Sequence, residues 1–127
     1  MDQLINEIGQ LILRCQKVDE NDWDSLSVVF DLTDGRISNS GFLYDSKSIK
    51  PMTARIDGEV MTIANKIREF QSAVEKKFGY KFKQLLVQME RESGQIKIDF
   101  EFDDPNRWNM GPTNYIKMRE ALRPVFD

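Results

Sequence analysis

The N-terminal residues place their apolar side chains three or four positions apart, which is the period of an α-helix. The members of this stripe are Leu4, Ile8, Leu11, Ile12 and Cys15. The pattern predicts a helix over residues 1–17 with one buried side. We interpret Cys15 as a small buried hydrophobe rather than a reactive thiol, because its neighbours Arg14 and Lys17 are only weak activators.

After a polar break at residues 18–24, the pattern changes to the period of two that is typical of a β-strand. The inward side of this strand consists of Leu26, Val28, Phe30 and Leu32. The dipeptide Asp34-Gly35 predicts a tight hairpin turn. A second strand is expected over residues 36–44, with Gly41 as a candidate β-bulge, and residues 45–51 are expected to form a loop.

A second helical pattern predicts the longest helix of the chain. It begins after Asp57, which has the position of an N-cap, and ends before Gly79, which has the position of a C-terminal cap. The apolar positions in between recur at helical spacing: Val60, Ile63, Ala64, Ile67, Phe70, Val74 and Phe78.

Residues 82–92 and 95–102 form a second predicted hairpin around Ser93-Gly94. If these two residues are the turn, one side of the hairpin holds three apolar pairs: Met89 with Ile98, Val87 with Phe100, and Leu85 with Phe102. The other side then pairs Glu90 with Lys97, Gln88 with Asp99, and Leu86 with Glu101. No like charges are opposed, so the pattern and the turn favour the same register.

The last part of the sequence predicts a loop over residues 103–112 and a short helix over residues 113–122. Pro105 stops the preceding strand, because proline donates no hydrogen bond to a ladder. The predicted inward side of the helix is Tyr115, Met118 and Leu122.

The order helix, hairpin, helix, hairpin, helix predicts an α+β fold in a single domain, residues 1–127. We expect an antiparallel sheet of four to five strands with helices packed on one face. The other face is expected to be open to solvent or to a partner.

Charge and composition exclude several functions. The formal charge is −3, which argues against nucleic acid as the main partner, because phosphate binding uses a basic surface. The sequence has no histidine, so Ser-His-Asp sites, Cys-His sites and most zinc sites are excluded. One cysteine, no signal peptide and no long apolar run predict a reduced cytoplasmic protein that has no membrane segment.

Four carboxylates lie close together in sequence: Asp99, Glu101, Asp103 and Asp104. They have three interpretations, namely the solvated outer side of a strand, an acidic surface for a basic partner, or a metal or catalytic site. The third is the weakest, because no phosphate-binding loop or second carboxylate cluster accompanies them. Arg107 is expected to pair with Asp103 or Asp104.

Trp108 has two interpretations that the sequence leaves open. Core packing is the commoner role of a tryptophan. A tryptophan in a proline-flanked loop beside acidic residues also has the composition of an interface anchor.

The segment GQIKIDFEFDDPNRWNMGPTNYIKMREALRP, residues 94–124, resembles the C-terminal signature of the YezG-like antitoxin family. These are small immunity proteins of bacterial polymorphic toxin and contact-dependent inhibition systems. The shared motif marks Phe100, Phe102, Asp103, Asp104, Pro105, Arg107 and Trp108. Whether these positions contact a toxin or form the scaffold stays open.

The resemblance implies a cytoplasmic protein that neutralises a cognate toxin domain, often a nuclease, by stoichiometric binding. It implies no catalysis, cofactor, small-molecule substrate, nucleic-acid partner or membrane partner. Toxin contacts are expected on the acidic segment with Arg107 and Trp108, or on residues 34–47, where Phe42 and Tyr44 are the candidates. The alternatives are a carboxylate-dependent metal-ion phosphodiesterase and a generic adaptor domain.

Overall fold

The structure is a computed structural model that describes residues 1–126. Its helices are α1 (Asp2–Leu13), α2 (Gln16–Glu20), α3 (Thr62–Phe78) and α4 (Tyr115–Ala121). Its strands are β1 (Ser25–Asp31), β2 (Ser38–Tyr44), β3 (Ile49–Met52), β4 (Gln84–Glu90) and β5 (Ile96–Glu101). Within this range, none of the helices has both the length and the apolar composition that crossing a membrane requires.

The strands form one antiparallel sheet in the order β3-β2-β1-β4-β5. The predicted α+β class and antiparallel sheet are confirmed. The loop prediction for residues 45–51 is wrong in its second half, which belongs to β3. Pro51 masks the strand in the sequence, and it is tolerated because β3 is an edge strand that pairs only with β2.

The first hairpin has the predicted turn. Asp34 and Gly35 both have positive φ, 58° and 73°, as a tight hairpin turn of the primed type requires. The bulge prediction for Gly41 is wrong, because Gly41 lies directly opposite Val28 in an unbroken ladder. A Cβ at Gly41 would lie 2.1 Å from the carbonyl oxygen of Ser27, so close approach of β1 explains this glycine.

The second hairpin has a register two residues away from the predicted one. Leu85 lies opposite Phe100, and Lys97, Asp99 and Glu101 lie opposite Gln88, Leu86 and Gln84. The cause is a four-residue loop, 91–94, closed when the Gly94 amide donates to the Glu90 carbonyl. Gly94 has a φ of 72°, a conformation that glycine adopts without strain. A shift of two residues leaves every side chain on its predicted face.

Two helix boundaries differ from the predictions. The first helix ends at Leu13, and the predicted polar break holds most of the short helix α2. Helix α3 begins at Thr62 rather than after Asp57, because Gly58 has a φ of 77° and interrupts any helix that starts before it. The predicted C-terminal cap is confirmed, since Gly79 adopts the left-handed conformation.

The larger core lies between one face of the sheet and helices α1 and α3. The predicted inward residues of β1 are buried here, except Leu32, which is half-buried. Cys15 is completely buried, so its interpretation as a buried hydrophobe is confirmed. The buried positions of the two helices are Ile8, Ile12, Ile63, Ile67, Phe70 and Val74.

A second, smaller core lies on the opposite face of the sheet. It joins sheet residues to the C-terminal segment: Val29, Phe42, Tyr44 and Leu86 with Trp108, Met118 and Leu122. The prediction that all helices pack on one face is therefore wrong for α4. The polar side chains of this face, Ser27 and Gln84, are buried because the C-terminal segment covers them.

Candidate functional site

The predicted acidic site centres on Glu101, whose carboxylate is used within the fold. One oxygen accepts the backbone N–H groups of Asp104 and Asp103, each at 3.0 Å, and the other accepts the Arg107 guanidinium at 3.1 Å. The two N–H groups and the cation favour the ionised form, so they hold the pKa of Glu101 below its ordinary value. Glu101 thus fixes the turn that follows β5.

Arg107 does not pair with Asp103 or Asp104 as predicted. Its guanidinium lies 3.1 Å from Glu101 and 3.7 Å from Asp99, because those two carboxylates project from β5 toward the C-terminal segment. The same guanidinium lies 4.6 Å from the centroid of the Trp108 ring, within the range of a cation–π contact. Arg107 therefore joins β5 to the second core.

Trp108 packs in the second core and is 6% exposed. Its backbone N–H donates to the side-chain oxygen of Gln84 at 2.9 Å, and the Gln84 side-chain N–H donates to Asp31 at 3.2 Å. The core-packing interpretation is therefore confirmed. The interface-anchor interpretation is wrong, because a buried ring offers no free surface to a partner.

Phe42 and Tyr44, the other candidate toxin contacts, are also buried, so their side chains offer no free surface to a partner. The Tyr44 hydroxyl donates to the Arg119 carbonyl at 2.9 Å. Burial raises the pKa of Tyr44 far above its ordinary value. The Ser27 hydroxyl likewise donates to the Leu122 carbonyl at 2.5 Å, so β1 and β2 both hold α4 on the sheet.

The exposed acids near β5 share their end of the sheet with several lysines. Asp99, Asp103 and Asp104 are exposed. The Lys83 ammonium donates to the Asp103 carbonyl at 2.9 Å, and Lys76, Lys77 and Lys81 occupy the adjoining end of α3 and the segment after it. This end of the molecule therefore carries both signs of charge and is not a uniformly acidic surface.

A predominantly acidic surface lies at the other end of the sheet, at a place that the sequence alone did not predict. Segment 19–24 and segment 90–92 meet there, because the Arg91 amide donates to the Asp24 carbonyl at 2.9 Å. We call these two segments the acidic end. Their acidic residues are Asp19, Glu20, Asp22, Asp24, Glu90 and Glu92, and five of the six are exposed.

The acidic end concentrates the negative charge of the molecule. It holds six acidic residues and one basic residue, Arg91, whereas the whole chain holds 21 acidic and 18 basic residues. Outside the acidic end, basic residues therefore outnumber acidic ones. The sequence shows that DENDWD, residues 19–24, is rich in acidic residues. Only the fold shows that the acidic residues at 90–92 lie beside this segment.

A cleft of about 280 Å³ opens within the acidic end. Leu13, 38% exposed, contributes accessible apolar surface, Trp23 and Met89 form its buried floor, and Asp19, Glu90 and Arg91 lie at its margin. Arg91 is held in place, since its guanidinium lies 5.5 Å from the Trp23 ring centroid. Apolar surface beside carboxylates suits a basic partner that inserts an apolar or aliphatic side chain.

In residues 1–126, no group of three or more Asp, Glu or Cys side chains is arranged to hold a metal ion. No model of a known protein family matches the chain, and no curated protein matches it.

Proposed function

We propose that this chain is an immunity protein that neutralises a cognate bacterial toxin domain by stoichiometric binding in the cytoplasm. The observation that supports the proposal best is the concentration of negative charge at the acidic end. A toxin that acts on nucleic acid carries a basic substrate cleft, because it must bind phosphates. A compact acidic surface is complementary to such a cleft.

The charge distribution favours fast and oriented association. Complementary charges raise association rates well above the rate for neutral surfaces, and the effect weakens as salt screens the charges. In the rest of the molecule basic and acidic residues are nearly balanced, so the attraction for a basic toxin is concentrated at the acidic end.

The resemblance over residues 94–124 adds to the proposal in a different way. Two of the motif residues, Arg107 and Trp108, hold the C-terminal segment on the sheet through Glu101 and Gln84. A family whose toxins differ is expected to share its scaffold and to vary its contact residues. We therefore assign the motif to the scaffold and the toxin contacts to the acidic end.

The test is co-expression and co-purification with the toxin domain encoded beside the gene of this chain, followed by association kinetics at low and high salt. We expect protection of the cells and a stoichiometric complex. The variant Asp22→Lys/Glu92→Lys is expected to slow association by roughly tenfold or more at low salt. Both side chains are exposed and lie outside the two cores, so the fold is expected to be retained.

The matched control is Asp57→Lys/Asp103→Lys, which makes the same change in net charge at exposed positions elsewhere. Its association rate is expected to stay within about twofold of the wild-type rate. If both variants lost the same fraction of the association rate, the effect would be due to net charge rather than to the acidic end. Absence of both complex and protection would refute the proposed function.

A further inference from the structure

The two edges of the sheet differ in how they resist pairing with another strand. At one edge, β3 has only four residues and contains Pro51, two features that protect an edge. At the other edge, β5 has six residues, alternates apolar and charged side chains, and contains neither proline nor glycine. Within residues 1–126, β5 pairs with β4 alone.

The ladder with β4 determines which backbone groups of β5 point outward. The Glu90 amide donates to the Gln95 carbonyl, so the backbone groups of this pair of residues point toward each other. Such pairs recur at every second residue of an antiparallel ladder. Lys97, Asp99 and Glu101 therefore bond to β4. The N–H and C=O groups of Ile96, Ile98 and Phe100 point away from the sheet.

The sequence of β5 is complementary to itself in one antiparallel register. When Ile98 lies opposite Ile98 of a second copy, Lys97 lies opposite Asp99 of that copy, and Ile96 lies opposite Phe100. Both charged pairs are then attractive, and the apolar side chains meet on the other face. Sliding one copy by two residues would place Lys97 opposite Lys97 in one direction and Asp99 opposite Asp99 in the other. Repulsion between these like charges favours the register centred on Ile98.

Helix α1 has apolar residues beside the same edge. Gly9 faces β5, since a Cβ built on it would lie 2.5 Å from Cδ1 of Ile96. Ile5 and Leu13 lie on the same flank of α1 by the helical period. Ile5 is only half-buried, and Leu13 is 38% exposed. A second copy that extended the sheet would bring its own α1 beside this flank.

We propose that β5 pairs antiparallel with β5 of a second copy of this chain, centred on Ile98. The result is a symmetric dimer with a continuous ten-stranded sheet. This inference goes beyond the proposed function and does not depend on it, because the acidic end lies in other segments and a monomer could equally bind a toxin.

The test measures the mass of the full chain in solution by sedimentation and by light scattering over a range of concentrations. We expect a species of twice 14.8 kDa. Lys97→Asp and Asp99→Lys each place like charges opposite each other twice per dimer, so each is expected to raise the dissociation constant roughly tenfold or more. The double variant Lys97→Asp/Asp99→Lys restores opposite charges and is expected to restore the dimer.

The matched control is Lys47→Asp, which makes the same substitution at an exposed position outside β5. It is expected to leave the dissociation constant unchanged. Circular dichroism of each variant checks the fold, because Lys97 also donates to the Val125 carbonyl at 2.6 Å and Asp99 lies near Arg107.

A chain that stays monomeric at every concentration would overturn the proposal. So would a dimer that both charge reversals leave intact, since its interface would then lie elsewhere. A double variant that remains monomeric, although correctly folded, would exclude the Ile98-centred register. Mixed Lys97→Cys and Asp99→Cys chains give an independent check, because they should form disulfides with each other faster than either does with itself.

Discussion

The guanidinium of Arg107 donates to the carboxylate of Glu101 at 3.1 Å, six residues back along the chain. The same carboxylate accepts the backbone N–H groups of Asp103 and Asp104. This one side chain therefore organises the turn through which the chain leaves β5 and enters the second core. Glu101 is one of the four carboxylates that the sequence offers for chemistry, and in the structure it holds the fold together.

Glu101→Gln is expected to lower the free energy of unfolding at neutral pH, because an amide accepts the three hydrogen bonds less strongly than a carboxylate. The folded-state pKa of Glu101 lies below its ordinary value of 4.5. Its contribution is therefore present above pH 4.5 and is lost as the pH falls through the folded-state pKa. Urea unfolding should show that the free energy of unfolding of the variant is lower than that of the wild type at neutral pH. This difference should become smaller under acid conditions.

The control for this prediction is Asp103→Asn, which removes a nearby exposed carboxylate. It is expected to leave the stability nearly unchanged at both pH values. An equal effect of both substitutions would attribute the loss to general charge rather than to the turn.

Gln84→Met is expected to destabilise the chain by about 1–3 kcal/mol, because it leaves a buried N–H without its acceptor. The Gln84 side chain is 1% exposed and links Trp108 to Asp31. Methionine preserves most of the volume, so the loss isolates the hydrogen bonds. Urea unfolding gives the stability, and the near-ultraviolet circular dichroism should show a change at the tryptophan wavelengths. Unchanged stability would mean that water replaces the amide.

Tyr44→Phe is expected to cost about 1 kcal/mol at neutral pH, the usual net value of one hydrogen bond. Burial holds the pKa of Tyr44 above its ordinary value of 10.0, so the folded state favours the neutral hydroxyl. The contribution of the neutral Tyr44 hydroxyl to the free energy of unfolding is present below pH 10.0 and is lost as the pH rises toward the folded-state pKa. The wild type should therefore lose more stability than the variant above pH 10.0, as urea unfolding can measure.

The first core could be predicted from the sequence because its pattern is periodic. The stripe that includes Ile8 and Ile12, the alternation of Leu26, Val28 and Phe30, and the turn at Asp34 each give a local signal. A local signal specifies which side of an element is buried. The error of two residues in the second hairpin did not change this, since such a shift preserves the faces of a strand.

The second core and the acidic end depend on contacts between segments that are far apart in sequence. Gln84 and Ser27 are polar residues of the kind that usually lies on a solvated face. They are buried because the C-terminal segment covers them and provides hydrogen-bond partners at residues 108 and 122. In the same way, Asp22 and Glu92 are 70 positions apart and are brought to one end by the order of the strands. Periodicity in a single sequence carries no information of this kind.

Cys15 is expected to resist a thiol reagent in the native protein at mildly alkaline pH. Burial raises the pKa of its thiol to about 11, and the Sγ atom lies 3.5 Å from the Leu11 carbonyl. The reactive thiolate is therefore scarce, and the side chain is inaccessible. Labelling should be fast in denaturant. In the absence of denaturant, the labelling rate should be limited by the transient opening of the structure. Rapid labelling of the native chain would contradict the burial of α1 against the sheet.

Two glycine-to-alanine substitutions test the packing of the sheet against itself and against α1. Gly41→Ala places a methyl group 2.1 Å from the Ser27 carbonyl oxygen and 2.9 Å from the Val28 Cα. Both atoms belong to the backbone of β1, so the strands must separate, at a cost of about 1–3 kcal/mol or more. The measurement is the free energy of unfolding in urea.

Gly9→Ala is the matched substitution, because its methyl group would lie 2.5 Å from Cδ1 of Ile96 and 3.5 Å from Cε of Met89, and both atoms end side chains that can rotate away. Alanine also favours a helix over glycine by up to about 1 kcal/mol, which offsets part of the crowding. We expect the loss in Gly9→Ala to be clearly smaller than the loss in Gly41→Ala. A larger loss of stability in Gly9→Ala would mean that the pair β1 and β2 accommodates an added methyl group at lower cost than the contact between α1 and β5 does.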